Sequence, residues 1–448
     1  MEFVTGQKKK NTVEIADILR ESMHGNAVKL RGAVHTVRDM RGFSFLVLRN
    51  YGGLVQCVAD GDSGGAVVLA VRSMKEGTAV EASGVVRAES RAPNGFELHL
   101  TDVDILSELE GDAPLPLPIA KRKLNASLET KLSLRPLSLR NLRERAVFKL
   151  QEGIVRGFRD FLFSEHFTEV HTPKIVAGNA EGGANVFQLE YFRKRAFLAQ
   201  SPQFYKQTLV GVYDRVFEVE PVLCAEKHNT ARHLNEYTGL DLEMGYIDSF
   251  TEIMETETAM LSYTIGLLFK EYARELAILG IELPSAGKIP SVRFDEAKRL
   301  AAEKYSRRIR DPYDLEPEEE ALIGRYFKEE YGSDFVFVTH YPSRKRPFYA
   351  MDDPADEKFT LSFDLLFRGM EITTGGQRIH DYGMLKNKMK ERGMEPDDFA
   401  GYLMIFQYGM PPHGGLGIGL ECLTMQLLGE GNVRETAMFP RDVNRLTP

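Results

Sequence analysis

Residues Phe217–Tyr246 read FEVEPVLCAEKHNTARHLNEYTGLDLEMGY, and their pattern decides the fold. FEVEPVL alternates apolar and acidic side chains at period two, which predicts a strand. EKHNTARH is too polar, and too rich in Asn, His and Lys, to be core. TGLDLEMGY alternates again and puts Asp241 and Glu243 on one face. A hairpin whose loop carries Lys227, His228, Arg232 and His233 can hold an anion over a sheet. A solvated hairpin tip fits the same residues. At the far end of the chain, Gly414–Arg441 reads GGLGIGLECLTMQLLGEGNVRETAMFPR, a glycine-rich strand running into an amphipathic helix. Gly415, Gly417 and Gly419 remove side chains at every second residue, so one face of that strand is open to a flat ligand.

Together the two stretches resemble motifs 2 and 3 of the class II aminoacyl-tRNA synthetases. RHLNEYTGLDLEM, QSPQFYKQ, GGQRIHDY and YGMPPHGGLGIGLE are similar to the aspartyl enzymes of archaeal and eukaryotic type, and the likeness covers essentially the whole chain. The resemblance implies an α+β protein: an N-terminal OB-fold β-barrel, then a class II domain on an antiparallel sheet flanked by helices. It implies ATP-dependent attachment of aspartate to tRNA through an aspartyl-adenylate. ATP and Mg2+ are the implied cofactors. L-aspartate, tRNA and a second copy of the chain, forming a homodimer, are the implied partners.

Composition agrees with this and could not have shown it. A length of 448 residues allows two or three domains with a large core. With 43% apolar and 27% charged residues the chain reads as an ordinary globular protein. The net charge of −8 argues against indiscriminate nucleic-acid binding, but a local basic face suffices for RNA. Cys57, Cys224 and Cys422 have no paired spacing, which suggests a reducing compartment. No apolar run approaches the ~18 residues of a membrane span. The N-terminus MEFVTGQKKKN has no apolar signal core, so the cytoplasm is expected.

In chain order, Val28 to Leu106 breaks into five short alternating runs, the pattern of a small closed barrel that commonly binds oligonucleotides. Gly111–Pro118 (GDAPLPLP) is a Pro-rich hinge. The expected domains are 1–110 for the barrel, 111–135 for the linker and 136–448 for the catalytic unit. Leu139–His166 has helical periodicity. FTEVHTPKIV reads as a strand containing Pro173, and helix, strand and proline together resemble motif 1, which builds the family's dimer interface. A buried amphipathic helix fits the same pattern. Thr251–Leu279 reads as one long amphipathic helix, and Pro284–Asp334 as charged and helical.

Aspartate activation needs an ammonium and two carboxylates held still, ATP with magnesium, and charge stabilisation, but no protein nucleophile. By resemblance, Lys206 and Arg378 are the two cations for the side-chain carboxylate, and an Arg fork can grip it bidentately. Gln203 and Asp241 match the positions that hold the α-ammonium. Ala180–Phe187 (AEGGANVF) resembles the loop that closes over the amino acid, with Glu181 in it and Gly182–Gly183 as its hinge. Asp364 and Glu371 match the magnesium positions; two solvated strand carboxylates would look the same. Glu226 and Tyr237 match the adenine site, and His233 a γ-phosphate contact. In the barrel, Phe45 and Gln56 match residues that stack on and hydrogen-bond the central anticodon base.

The chain departs from the family twice. Motif 2 reads Phe-Arg-x-Glu, and here it is Leu223-Cys224-Ala225-Glu226. Motif 3 reads Gly-Leu-Glu-Arg, and here it is Gly419-Leu420-Glu421-Cys422. Both missing arginines contact ATP phosphates, and a neutral thiol cannot replace a charge-assisted pair. The rival expectation is therefore a catalytically impaired or repurposed paralogue that binds aspartate, nucleotide or RNA without charging. His35 and Pro93 match the pattern of enzymes that accept both aspartate and asparagine tRNAs, which implies a downstream amidotransferase partner. An ordinary barrel residue and an ordinary turn former fit them equally.

Overall fold

The computed structural model describes residues 6, 10–18, 23–92, 94–110, 116–178, 185–227 and 230–447. They form two compact units, one of residues up to 126 with 137–142, the other of 127–136 and 143 onward. The stretch read as a linker is divided between them.

In the first unit, β1 (Ala27–Asp39), β2 (Ser44–Asn50), β3 (Gly53–Ala59), β4 (Ala79–Ala88) and β5 (Phe96–Ser107) close into a barrel in the order β1-β2-β3-β5-β4. The alternation read from the sequence is the cause. Leu30, Val34, Leu46, Leu48, Val55, Val80, Ala82 and Leu98 all point inward and are buried. His35 is the extra residue of a β-bulge, since pairing passes from Val34–Leu48 to Thr36–Val47.

The second unit is built on an eight-stranded sheet. Its strands are β6 (Thr168–Glu169), β7 (Arg215–Leu223), β8 (Glu236–Gly245), β9 (Ser291–Arg293), β10 (Phe335–Thr339), β11 (Ser362–Phe367), β12 (Met370–Arg378) and β13 (His413–Gly419). The order is β9-β10-β11-β12-β13-β8-β7-β6. The six central strands are antiparallel, as expected, but each edge strand is parallel to its neighbour. A parallel pair needs a crossover, and the helices Phe294–Tyr305 and Pro317–Tyr331 supply it between β9 and β10.

Helix α1 (Leu142–Ser164) follows the expected periodicity. Its buried stripe of Leu150, Ile154, Phe158 and Leu162 packs in one core with Phe217 and Leu242 of the sheet. Helix α2 (Thr251–Glu271) crosses α1 where Gly157 lets the backbones approach; a Cβ there would lie 2.7 Å from Thr264 Oγ1. The expected single helix to Leu279 breaks at Tyr272 and resumes over Ala273–Leu279. The expected strand around Pro173 is interrupted: Thr168–Glu169 and Ile175–Val176 join different sheets, because proline has no N–H for a ladder.

Candidate functional site

The predicted hairpin is formed by β7 and β8, with Glu218 opposite Asp241 and Val216 opposite Glu243. On the other side of β8, Asp241 faces Gly417 and Glu243 faces Gly415. The glycines therefore have a second role beside opening the face. A Cβ at Gly415 would meet Glu243 Oε2 at 2.2 Å, and one at Gly417 would meet Asp241 Oδ1 at 3.2 Å. They make room for the chain's own carboxylates. A cavity of about 600 Å³ opens over this face, a size that suits a small organic ligand.

At one end of the cavity four charges interlock. Lys206, on the helix Gln203–Tyr213, places Nζ 2.8 Å from Asp241 Oδ1 and 3.3 Å from Glu243 Oε2. Arg378 Nε donates to Glu243 Oε1 at 2.9 Å, and its Nη2 donates to the Gly415 carbonyl at 3.0 Å. All four are buried. Burial pulls the Glu243 carboxyl upward, but Arg378 and Lys206 together outweigh it and hold it below the ordinary range. Each cation is tied to Glu243, whose role the sequence reading did not assign. Gln203 is buried beside them, and its Nε2 has no partner among the described residues, so an amide donor is available to a ligand.

The other end is lined by Cys224, Glu226, Arg232, His233, Tyr237, Glu371, Glu421 and Cys422. Asn235 braces the motif 2 segment, donating to the carbonyls of Cys224 at 2.7 Å and Glu226 at 2.9 Å. His233 Nε2 lies 3.8 Å from Glu226 Oε2. Burial first, then Glu421 and Glu371, pushes the Cys422 thiol up to about 12. It stays neutral at physiological pH and supplies no charge to this end of the cavity. Glu421 accepts from the Thr238 N–H at 2.9 Å, and burial raises it to about 7.

Asp364 does not line the cavity. It is buried behind it, 2.7 Å from Nη2 of Arg346, whose guanidinium lies over the Tyr341 ring at 3.9 Å. Glu371 opens onto the cavity and accepts from Thr374 Oγ1 at 2.7 Å. The surrounding protein, and then the charge of Asp364, raise it to about 8. Glu320, paired with Arg232 at 3.2 Å, is raised to about 7, mainly by burial. Asp364 and Glu320 are buried and Glu371 is exposed on the cavity wall, and carboxylates that repel one another suit a divalent cation, which relieves the repulsion. Among the described residues no three His, Cys, Asp or Glu side chains close on one point, so phosphate oxygens and water would complete the shell.

The structure thus brings Gln203, Lys206, Cys224, Glu226, His233, Tyr237, Asp241, Glu371, Arg378 and Cys422 to one cavity. Glu181, Pro93 and His228 lie outside the described residues. In the barrel, Phe45 is half-buried and meets Phe43 edge-on, with centroids 5.1 Å apart. Gln56 Nε2 donates to Glu97 Oε2 at 3.1 Å. His35 is 5% exposed and its Nδ1 lies 3.4 Å from Arg49 Nη1, so it faces the barrel wall and not solvent. Glu243 and Arg346 were missed. The first was signalled by sharing a face with Asp241; the second sits in SRKRPFY, which reads as a solvated basic run.

The antiparallel sheet and its glycine-lined cavity match a class II synthetase core. Residues 127–443 match the family described as tRNA synthetases class II (D, K and N), and residues 28–106 match the OB-fold nucleic acid binding domain. The chain belongs to the D, K and N family of class II tRNA synthetases. It is 46% identical over 430 residues to the aspartate–tRNA(Asp/Asn) ligase of Deinococcus radiodurans, covering 95% of this chain and 96% of that one. It is 45% identical over 426 residues to the Thermus thermophilus protein of the same name, covering 95% and 97%. The asparaginyl-tRNA synthetase of Pyrococcus horikoshii in complex with asparaginyl-adenylate superposes with a TM-score of 0.89 at 31% identity, covering 98% of this chain and 99% of that one. No described helix is long and apolar enough to cross a membrane.

Proposed function

We propose that the chain attaches aspartate to tRNA in an ATP-dependent reaction that passes through an aspartyl-adenylate. The observation that carries this reading is the buried Lys206–Glu243–Arg378 bridge beside Asp241. The two cations are balanced by Asp241 and Glu243, so the cluster offers an incoming side-chain carboxylate no excess positive charge but N–H donors already held in place. Charge-assisted donors bind a carboxylate more strongly than a neutral amide, whose NH2 would face them donor to donor, which favours aspartate over asparagine. Asp241 and the side-chain oxygen of Gln203 hold the α-ammonium, which leaves the Gln203 Nε2 donor for an oxygen of the ligand.

At the far end Glu226 accepts from the adenine amine, Tyr237 stacks on the ring, and His233 with Arg232 meets the terminal phosphate. A carboxylate oxygen of aspartate attacks the α-phosphorus, the bond to the β-phosphate oxygen breaks, and pyrophosphate leaves. A terminal hydroxyl of tRNA then attacks the activated carbonyl and AMP departs. Glu371 would hold magnesium at the cavity wall, with Asp364 behind it adding negative charge and phosphate oxygens and water completing the shell, and the ion would neutralise phosphate charge. The cysteines leave this chain short of two donors, each of which typically contributes ~2.7–4 kcal/mol in such sites. The reaction is therefore expected to be slow, and the full-length likeness to ligases supports charging over the impaired alternative.

The two curated relatives carry both Asp and Asn in their names, which supports a relaxed choice of tRNA through the barrel residues His35, Phe45 and Gln56, with Pro93 at the adjoining loop. Aspartate placed on an asparagine tRNA needs amidation, so a tRNA-dependent amidotransferase is the partner that follows. A homodimer through α1 and the Pro173 segment, and a cytoplasmic location, complete the reading. Aspartate-dependent ATP–pyrophosphate exchange by the purified protein tests it. Exchange with aspartate and not asparagine is expected; none with either sinks the reading.

A further inference from the structure

The strands Gln188–Tyr191 and Lys194–Leu198 form a hairpin in the catalytic unit, with Tyr191 paired to Lys194. Phe192 and Arg193 are its two turn residues. Phe192 has φ 55°, the left-handed region that a turn of this kind reserves for glycine. Its side chain is 88% exposed, so no burial offsets that conformation. Its ring meets Tyr191, itself exposed, edge-on at 4.9 Å. Folding alone therefore gives no reason for an aromatic residue here, and a strained residue that burial does not explain points to function.

Charge supplies the second observation. Arg193, Lys194 and Arg195 follow directly, all exposed, and none forms an ion pair with a described residue. Glu190 stands opposite Arg195 in the ladder and is the nearest counter-charge in the hairpin. Three unpaired cations in a row are a local exception on a chain of net charge −8. The hairpin is also rooted at the cavity. Its second strand runs through Ala199 into Gln200 on the cavity wall, and Gln200 Nε2 donates to the Asn185 carbonyl at 2.8 Å. The Ala225 N–H of motif 2 donates to the same carbonyl at 2.9 Å.

We propose that this tip is a platform for the single-stranded 3′ end of an RNA. The rings of Tyr191 and Phe192 stack on unpaired bases, and the three cations follow the phosphates into the cavity. The identity of that RNA as a tRNA rests on the ligase reading above; the platform itself does not. A second copy of the chain fits less well, because a twofold contact would set three like charges against themselves.

The test is filter binding of the full chain to a short RNA duplex with a single-stranded 3′ overhang, beside the same duplex blunt-ended. Tyr191→Ser with Phe192→Gly should weaken overhang binding roughly tenfold or more, and blunt binding less. Phe192→Gly alone should unfold at the same or a higher temperature, since glycine suits the turn. Replacing Arg193, Lys194 and Arg195 by Ser should flatten the salt dependence of overhang binding by about two in the log–log slope, from ~0.7 per phosphate released. Unchanged overhang affinity in both multiple variants overturns the proposal. So does a switch from dimer to monomer in sedimentation with RNA affinity intact, which assigns the tip to a second copy. A protein inactive in pyrophosphate exchange that still binds the overhang through this tip overturns the ligase reading and leaves the platform standing.

Discussion

Glu243 and Arg378 form a buried ion pair, Oε1 to Nε 2.9 Å, and the other oxygen of Glu243 lies 3.3 Å from Lys206 Nζ. One carboxylate thus fixes both cations at this end of the cavity. Removing one member of a buried pair leaves an uncompensated charge, at a cost of about 3–5 kcal/mol. Glu243→Gln should lower unfolding free energy by that order in urea, and saturating aspartate should restore part of it, because the substrate supplies the missing charge. Unchanged stability with unchanged aspartate binding would show that the cations are held by something else.

On the proposed reading, Arg378 is the residue that separates aspartate from asparagine. Arg378→Leu should abolish aspartate binding in isothermal titration. Arg378→Lys, which keeps the charge and loses the fork, should retain weak binding. Asparagine bound more tightly than aspartate by the unaltered protein contradicts the assignment.

Cys224 and Cys422 line the nucleotide end of the cavity, and the Cys422 thiol stays neutral. If they are simple losses from an intact site, Cys224→Arg with Cys422→Arg should raise pyrophosphate exchange by orders of magnitude, roughly 10²–10³ per restored donor. If the site has been rebuilt around smaller side chains, the double variant should gain nothing and lose stability by overpacking. Exchange at full rate in the unaltered protein would mean that Arg232 and the metal carry the phosphates unaided.

Where the sequence was legible, the signal was local. The period-two alternation of FEVEPVL and TGLDLEMGY gave the hairpin and the shared face of Asp241 and Glu243 without any tertiary knowledge. Long-range pairing was not legible. Arg346 reads as a surface charge until Asp364, eighteen residues on, and the ring of Tyr341 close around it. The partnership of Glu243 with Arg378 spans 135 residues. The parallel edges of the sheet depend on crossovers that no strand records in its own pattern. The burial of His35 follows from a bulge, which turns a side chain without changing the alternation around it.

Glu257 gives the fold a pH dependence of known sign. It is fully buried on α2, accepts from Thr373 Oγ1 at 2.6 Å, and is raised to about 8, chiefly by burial. The folded protein therefore keeps a proton that the unfolded chain releases above about pH 4.3. The associated stability is fully present below that pH and is lost as pH rises to about 8. Glu257→Gln should remove this slope, so that the variant gains on the parent between about pH 5 and 8. Chemical denaturation at several pH values measures it, and parallel pH profiles would refute it.

The last prediction concerns which tRNA the barrel accepts. Aspartate and asparagine anticodons differ only in the first base, so any choice rests on residues near that base. His35 and Pro93 match the relaxed pattern, but the His35 ring is buried beside Arg49. Its influence is therefore expected to pass through Arg49 and the wall behind it. His35→Trp should overpack that wall and cost stability, roughly 1–3 kcal/mol, before it alters tRNA choice. His35→Gln keeps a polar contact for Arg49 and should leave both affinities close to those of the parent. Filter binding of both tRNA transcripts at one fixed salt concentration is the measurement, since affinity shifts with ionic strength. The relaxed reading expects affinities within about tenfold of each other. A preference above ~100-fold for the aspartate tRNA, about 2.7 kcal/mol, rules it out.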